Sequence, residues 1–87
     1  MFKSTVRITL RPSILDPQGK AIRHALESLG YDGIEDVRAG KLVELWIEAD
    51  ERATAERIAR EAAEKLLANP VMEDFAVEVE SVEAAPA

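Results

Sequence analysis

The sequence predicts an α+β sandwich, a four-stranded antiparallel sheet carrying two helices on one face. Three observations support this reading. Apolar residues alternate along 3–11, 42–49 and 75–80, the period of a half-buried strand. They recur every three to four residues along 17–29 and 51–66, the period of a helix facing a core. The segments follow one another as strand, helix, strand, strand, helix, strand, which places both crossovers on one side of a sheet.

Each element can be justified in turn. In the first strand Val6, Ile8 and Leu10 share one face, and Thr5, Arg7, Thr9 and Arg11 share the other. Pro12 ends it, having no N–H to donate. Asp16 followed by Pro17 reads as a helix N-cap with proline at the first helical position, leaving Gln18 and Gly19 in the first turn. Ala21, Ile22, Ala25, Leu26 and Leu29 form the inward stripe of that helix, and Gly30 offers a left-handed cap. A short strand is expected from Ile34 to Arg38, joined through Ala39-Gly40 to a longer one from Leu42 to Ala49, so that the two form a hairpin. Asp50 is expected to cap the second helix, with Ala55, Ile58, Ala59, Ala62, Ala63 and Leu66 inward and Asn69-Pro70 as its stop. Phe75, Val77 and Val79 mark the last strand. This β-α-β-β-α-β plan is that of the ferredoxin-like sandwich, with the first and third strands central.

Composition sets limits on what the chain does. With 87 residues it makes one domain, spanning 1–80, and its Glu-Ala-Ala-Pro-Ala end, within 81–87, is expected to fray. So short a chain buries only about 60% of its unfolded surface, so its own core is small and an oligomer or partner would help. It has no cysteine, which excludes disulfides, thiolate metal sites and a cysteine nucleophile. A formal charge of −6 disfavours nucleic acid and anionic membrane surfaces as partners. No apolar run approaches the roughly 20 residues of a membrane span, and no signal-peptide segment opens the chain, so a cytoplasmic setting is expected.

Candidate chemistry is sparse. His24 is the only histidine and lies beside the helix stripe, which suits a surface position better than a metal ligand or a base. No G-x-S-x-G elbow surrounds any serine, and the four glycines are scattered among turns instead of forming a phosphate loop. A binding or assembly module is the reading that remains.

Four stretches in one register carry a resemblance. Ile14-Leu15-Asp16-Pro17-Gln18-Gly19-Lys20-Ala21-Ile22, Leu29-Gly30-Tyr31, Val37-Arg38-Ala39-Gly40-Lys41 with Glu44-Leu45, and Leu67-Ala68-Asn69-Pro70-Val71-Met72-Glu73 closely resemble the PurS family. PurS is the small subunit of bacterial and archaeal phosphoribosylformylglycinamidine (FGAM) synthase. The likeness runs from about Lys3 to Val79, and Ala39 departs from it, standing where a bulkier apolar residue is expected. The resemblance implies a subunit of a glutamine-hydrolysing, ATP-dependent ligase of purine biosynthesis, with no active site of its own. It also implies that ATP and magnesium sit on a PurL-like synthetase partner, that a PurQ-like glutaminase releases the ammonia, and that this chain binds no cofactor. A bridging role follows, because ammonia must pass between two active sites before bulk water protonates it.

Two sets of residues are expected to carry contacts. Asp16, Pro17, Gln18 and Gly19, with the basic turn of Arg38 and Lys41, are candidates for partner binding. Leu42 and Trp46, on the sheet face the helices leave open, are candidates for self-association into a homodimer or a dimer of dimers, with Arg7 and Arg11 pairing to glutamates nearby. The competing reading is a free-standing regulatory module of ferredoxin-like shape that binds a small metabolite at a subunit interface, and it rests on fold analogy alone.

Overall fold

A computed structural model describes residues 1–86. The described residues form three strands and two helices: β1 (Phe2–Leu10), α1 (Pro17–Ser28), β2 (Gly40–Ile47), α2 (Arg52–Ala62), which runs on into a π-helical turn (Ala63–Leu67), and β3 (Glu73–Ser81). β1 is central, and β2 and β3 flank it, both antiparallel. Val6 pairs with Val43 on one side and Val77 on the other, so the alternating pattern of the sequence becomes one continuous apolar layer.

The four-stranded sheet predicted above is corrected to three strands, and the missing one is the short strand expected at 34–38. Its backbone groups have other partners. The Val37 N–H donates to the Asp36 carboxylate (2.9 Å), the Ile34 carbonyl accepts from Arg23 Nε (3.3 Å), and the Ala39 N–H donates to Asp16 Oδ2 (2.8 Å). Gly40 is already paired with Thr9, so the chain enters β2 directly and no hairpin forms. The three remaining strands keep the predicted relative order, with the first strand between the other two.

The expectation of two helices on one sheet face is corrected as well. α2 alone packs on the sheet, against β1 and β3. Val6, Ile8, Ala55, Ala59, Ala63 and Ala68 are buried, and Val43, Leu45, Leu67, Phe75 and Val77 lie partly buried around them. Alanine spacing explains the close approach, since small side chains at 55, 59 and 63 let the helix axis settle onto Val6 and Ile8. Ile58 and Leu66, expected inward, are exposed. Arg52 on α2 donates to the Val79 carbonyl on β3. The N-cap of α2 is Glu51, in extended conformation and without a side-chain bond, one residue beyond the expected Asp50. The stop falls as predicted: the Asn69 side chain accepts from the amides of Val71 and Met72 at 2.9 and 3.3 Å.

α1 ends as the sequence implies, with Gly30 at φ 97° and the amides of Gly30 and Tyr31 donating to Glu27 and Leu26. Yet Ala21, Ile22, Ala25 and Leu29 are all exposed, and only Leu26 is half-buried. Residues 11–39 therefore make an arm that leaves the body at the end of β1 and returns at the start of β2. The molecule is elongated, measuring 50 × 29 × 19 Å. At the other end the Val82 N–H donates to the Met1 carbonyl (3.0 Å), and of the tail expected to fray, Ser81 belongs to β3 while residue 87 lies outside the described residues.

Candidate functional site

Asp16 is the point on which the arm is rooted. It is 6% exposed, and each carboxylate oxygen has its own amide: Oδ1 accepts from Gly19 (3.0 Å), closing the N-cap of α1, and Oδ2 accepts from Ala39 (2.8 Å), 23 residues away. One carboxylate thus joins the outgoing and returning chains. These two amides, followed by the nearby Arg38 guanidinium, hold the Asp16 carboxyl below the usual carboxylate range against the opposing effect of burial.

Gly19 is required by the same contact. A Cβ there would stand 2.3 Å from the Val37 carbonyl oxygen and 2.8 Å from Asp16 Oδ2, so the returning chain lies where any side chain would be. Arg38 completes the root, donating to the carbonyls of Arg11 (2.8 Å), Ile14 (3.4 Å) and Leu10 (3.4 Å) at the exit of β1. Arg11 in turn donates to the Pro70 carbonyl (2.7 Å) and faces Asp74 at 3.4 Å.

The structure therefore brings the predicted partner-binding residues to one end of the molecule but gives them different occupations. The polar groups of Asp16, the amide of Gly19 and the guanidinium of Arg38 are engaged inside the chain. Gln18 is exposed, and Lys41 is exposed with its ammonium 3.8 Å from Glu73. Two cavities open near β1's exit: one of about 370 Å³, lined by residues including Arg11, Glu64, Pro70 and Asp74, and one of about 310 Å³, lined by residues including Pro12, Leu15, Asp16, Lys20, Val37 and Arg38. The internal roles of Gly19 and Arg38 were not foreseen from the sequence. The only signal was the pairing of an N-capping Asp with a glycine three residues on, in a helix that has no local need of glycine.

The outer sheet face is polar. Arg7 pairs with Glu78 at 2.7 Å, and Lys3 pairs with Glu44 at 2.7 Å while its ammonium lies 5.6 Å from the Trp46 ring. Trp46 is half-buried and Leu42 is 56% exposed on this face. His24 is exposed on α1, and among the described residues no group of His, Asp and Glu is placed to hold a metal ion. The described residues include no helix long and apolar enough to cross a membrane.

Comparison with known proteins decides the family. The family model described as PurS, phosphoribosylformylglycinamidine (FGAM) synthase, matches residues 3–81. This chain belongs to the PurS family. The PurS subunit of Bacillus subtilis phosphoribosylformylglycinamidine synthase is 49% identical over 82 residues, covering 94% of this chain and 96% of that protein. The crystal structure of Methanocaldococcus jannaschii PurS, one of the subunits of formylglycinamide ribonucleotide amidotransferase in the purine biosynthetic pathway, superposes with a TM-score of 0.87 at 35% identity, over 95% of this chain and 100% of that one. A chain in the structure of PurLQS from Thermotoga maritima gives a TM-score of 0.84 at 32% identity, over 91% of this chain and 96% of that one. The elongated shape with one helix off the sheet is thus close to that of known PurS chains.

Proposed function

We propose that this PurS-family chain is the non-catalytic bridging subunit of an FGAM synthase in purine biosynthesis, working in the cytoplasm. It docks a PurL-like synthetase subunit and a PurQ-like glutaminase subunit, and so supports ammonia transfer from one to the other. The observation that carries this reading is the near full-length likeness to a chain of the PurLQS assembly. The residues agree with it. The chain has no cysteine and a single exposed histidine, while its arm and exposed basic residues offer surface for contacts. ATP and magnesium are assigned to the synthetase partner, and no cofactor to this chain.

The partner contact is assigned to the arm root, with Gln18 and Lys41 as the exposed side chains that meet another subunit and Asp16, Pro17, Gly19 and Arg38 shaping the surface that presents them. Reconstitution tests the function. Synthetase and glutaminase are mixed with and without this chain, and turnover is followed with glutamine and, separately, with ammonium. Glutamine-dependent turnover is expected only with the chain present, whereas ammonium-dependent turnover needs the synthetase alone. Full glutamine-dependent turnover by the two larger subunits would overturn the reading.

A further inference from the structure

The turn that joins the second helix to β3 is firmly held yet presents apolar side chains to solvent. The Asn69 carbonyl accepts from the Glu73 N–H (2.8 Å), the Glu73 carboxylate accepts from the Asn69 N–H (2.7 Å), and the Asn69 side chain accepts from the amides of Val71 and Met72. Arg11 fastens the same turn to the end of β1, its side chain donating to the Pro70 carbonyl (2.7 Å) and its N–H to the Met72 carbonyl (2.9 Å). At the tip Val71 is 75% exposed and Met72 42%. Because the backbone beneath them is already fixed, little further ordering is needed when a partner covers these two side chains.

The same bonds leave the end of the helix uncapped. Amides that follow a helix ordinarily close on its last carbonyls. Here those of Asn69, Val71 and Met72 are engaged elsewhere, Pro70 has none, and the Ala68 N–H reaches back five residues to the Ala63 carbonyl (2.9 Å) through the π-helical turn. The carbonyls of Lys65, Leu66 and Leu67 therefore receive no N–H from the turn, and they form the negative end of the helix dipole. The cavity of about 370 Å³ opens there, with Glu64, Ala68 and Pro70 in its wall. Arg11 faces Asp74 and Lys41 faces Glu73, but among the described residues no cation pairs with Glu64.

Such a surface is complementary to an apolar recess with a cationic donor beside it. This chain has little of the second to offer. Its formal charge is −6, and among the described residues every Lys and Arg except Lys20 and Lys65 is already bonded to a carboxylate or a carbonyl within the chain. Two copies meeting tip to tip would set acceptors against acceptors, so the complementary charge comes from a different protein. The tip is also continuous with the arm root, since the Glu73 carboxylate holds the Asn69 amide and lies 3.8 Å from the Lys41 ammonium.

We propose that Val71 and Met72 are the apolar anchor of the contact with a larger subunit of FGAM synthase. They enter a recess on that subunit, and an arginine or lysine bordering the recess reaches Glu64 and the open carbonyls at 65–67. The proposal rests on the bridging function and adds an apolar centre to a contact whose polar rim includes Lys41.

The test sets assembly against stability. Val71→Glu alters a side chain that already faces solvent, so its melting temperature is expected to stay within about 3 °C of the parent. Its dissociation constant for the mixed synthetase and glutaminase is expected to rise about 100-fold or more. Glutamine-dependent turnover should return when the variant is added at correspondingly higher concentration, because the tip recruits and takes no part in the chemistry. Glu64→Gln is expected to weaken binding about tenfold and to reduce its dependence on salt. The chain has no cysteine of its own, so Val71→Cys can be labelled with a benzophenone maleimide before mixing, and irradiation is expected to cross-link it to a larger subunit. A parent chain that binds neither larger subunit would overturn the bridging function and this proposal with it. Tight binding by the parent with unchanged affinity in Val71→Glu would overturn the proposal alone, as would cross-linking from position 71 to a second copy of this chain.

Discussion

The body and the arm both carry apolar residues at regular spacing and come to opposite fates. In the body, Val6 and Ile8 on β1 pack with Ala63 and Ala68, and each of the two has a strand neighbour on both flanks. In the arm, the stripe of α1 also recurs at helical spacing, yet all of its residues except Leu26 stay exposed. Amphipathic patterning shows that a helix has a face to bury but does not say in which chain that face finds cover. What holds the arm is polar instead: one carboxylate and one guanidinium, both bonded to backbone.

The comparison is sharpened most by deleting apolar bulk in the body. Ile8 is fully buried beneath α2, and Ile8→Ala is expected to cost about 2–5 kcal/mol, measured by urea denaturation at a single protein concentration. An effect under about 1 kcal/mol would mean the body is not the unit that holds the fold. At the arm root, Gly19→Ala forces the returning chain away from α1, and overpacking of this kind costs about 1–3 kcal/mol. A melting temperature unchanged in Gly19→Ala would show that the 39-side of the root is loosely held.

The pH response of the root has a definite sign. The Asp16 carboxyl is held below its ordinary range by the Gly19 and Ala39 amides, so its ionised form is favoured in the folded state. The resulting stability is fully present above the unfolded pKa of about 3.9 and is lost as pH falls through the lower folded value. Denaturation midpoints of the parent and of Asp16→Asn are expected to differ at pH 6 and to converge toward about pH 2. Parallel curves over that interval would count against the root as described. The smallest expected effect on folding belongs to Gln18→Ala and Lys41→Ala, each within about 0.5 kcal/mol of the parent, while both weaken assembly with the synthetase or the glutaminase. Unchanged assembly in both variants, read by gel filtration of the reconstituted mixture, would leave the root with a purely structural role.

Much of the molecule is legible in residues alone. Alternation at Val6, Ile8, Val43, Leu45, Val77 and Val79 specifies three strands and the face each buries, because a one-residue slip would turn the whole set to solvent. Asp16-Pro17 and Gly30 bound α1 as local capping rules require, and Asn69-Pro70 ends the second helix for the same reason. These are near-neighbour effects, and sequence contains near neighbours. Four short motifs were also enough to mark the PurS family.

Tertiary structure decided the rest, wherever a group's partner lies far along the chain. Residues 34–38 read as a strand because Ile34 and Val37 suit one, but the carboxylate that claims the Ala39 amide comes from position 16. Gly19 and Arg38 pass for turn residues until the Val37 carbonyl and the exit of β1 are brought against them. Nor could periodicity separate α1 from α2, since both present the same stripe. The difference arises because the root directs one helix past the end of the sheet, while the small alanines at 55, 59 and 63 let the other settle onto it.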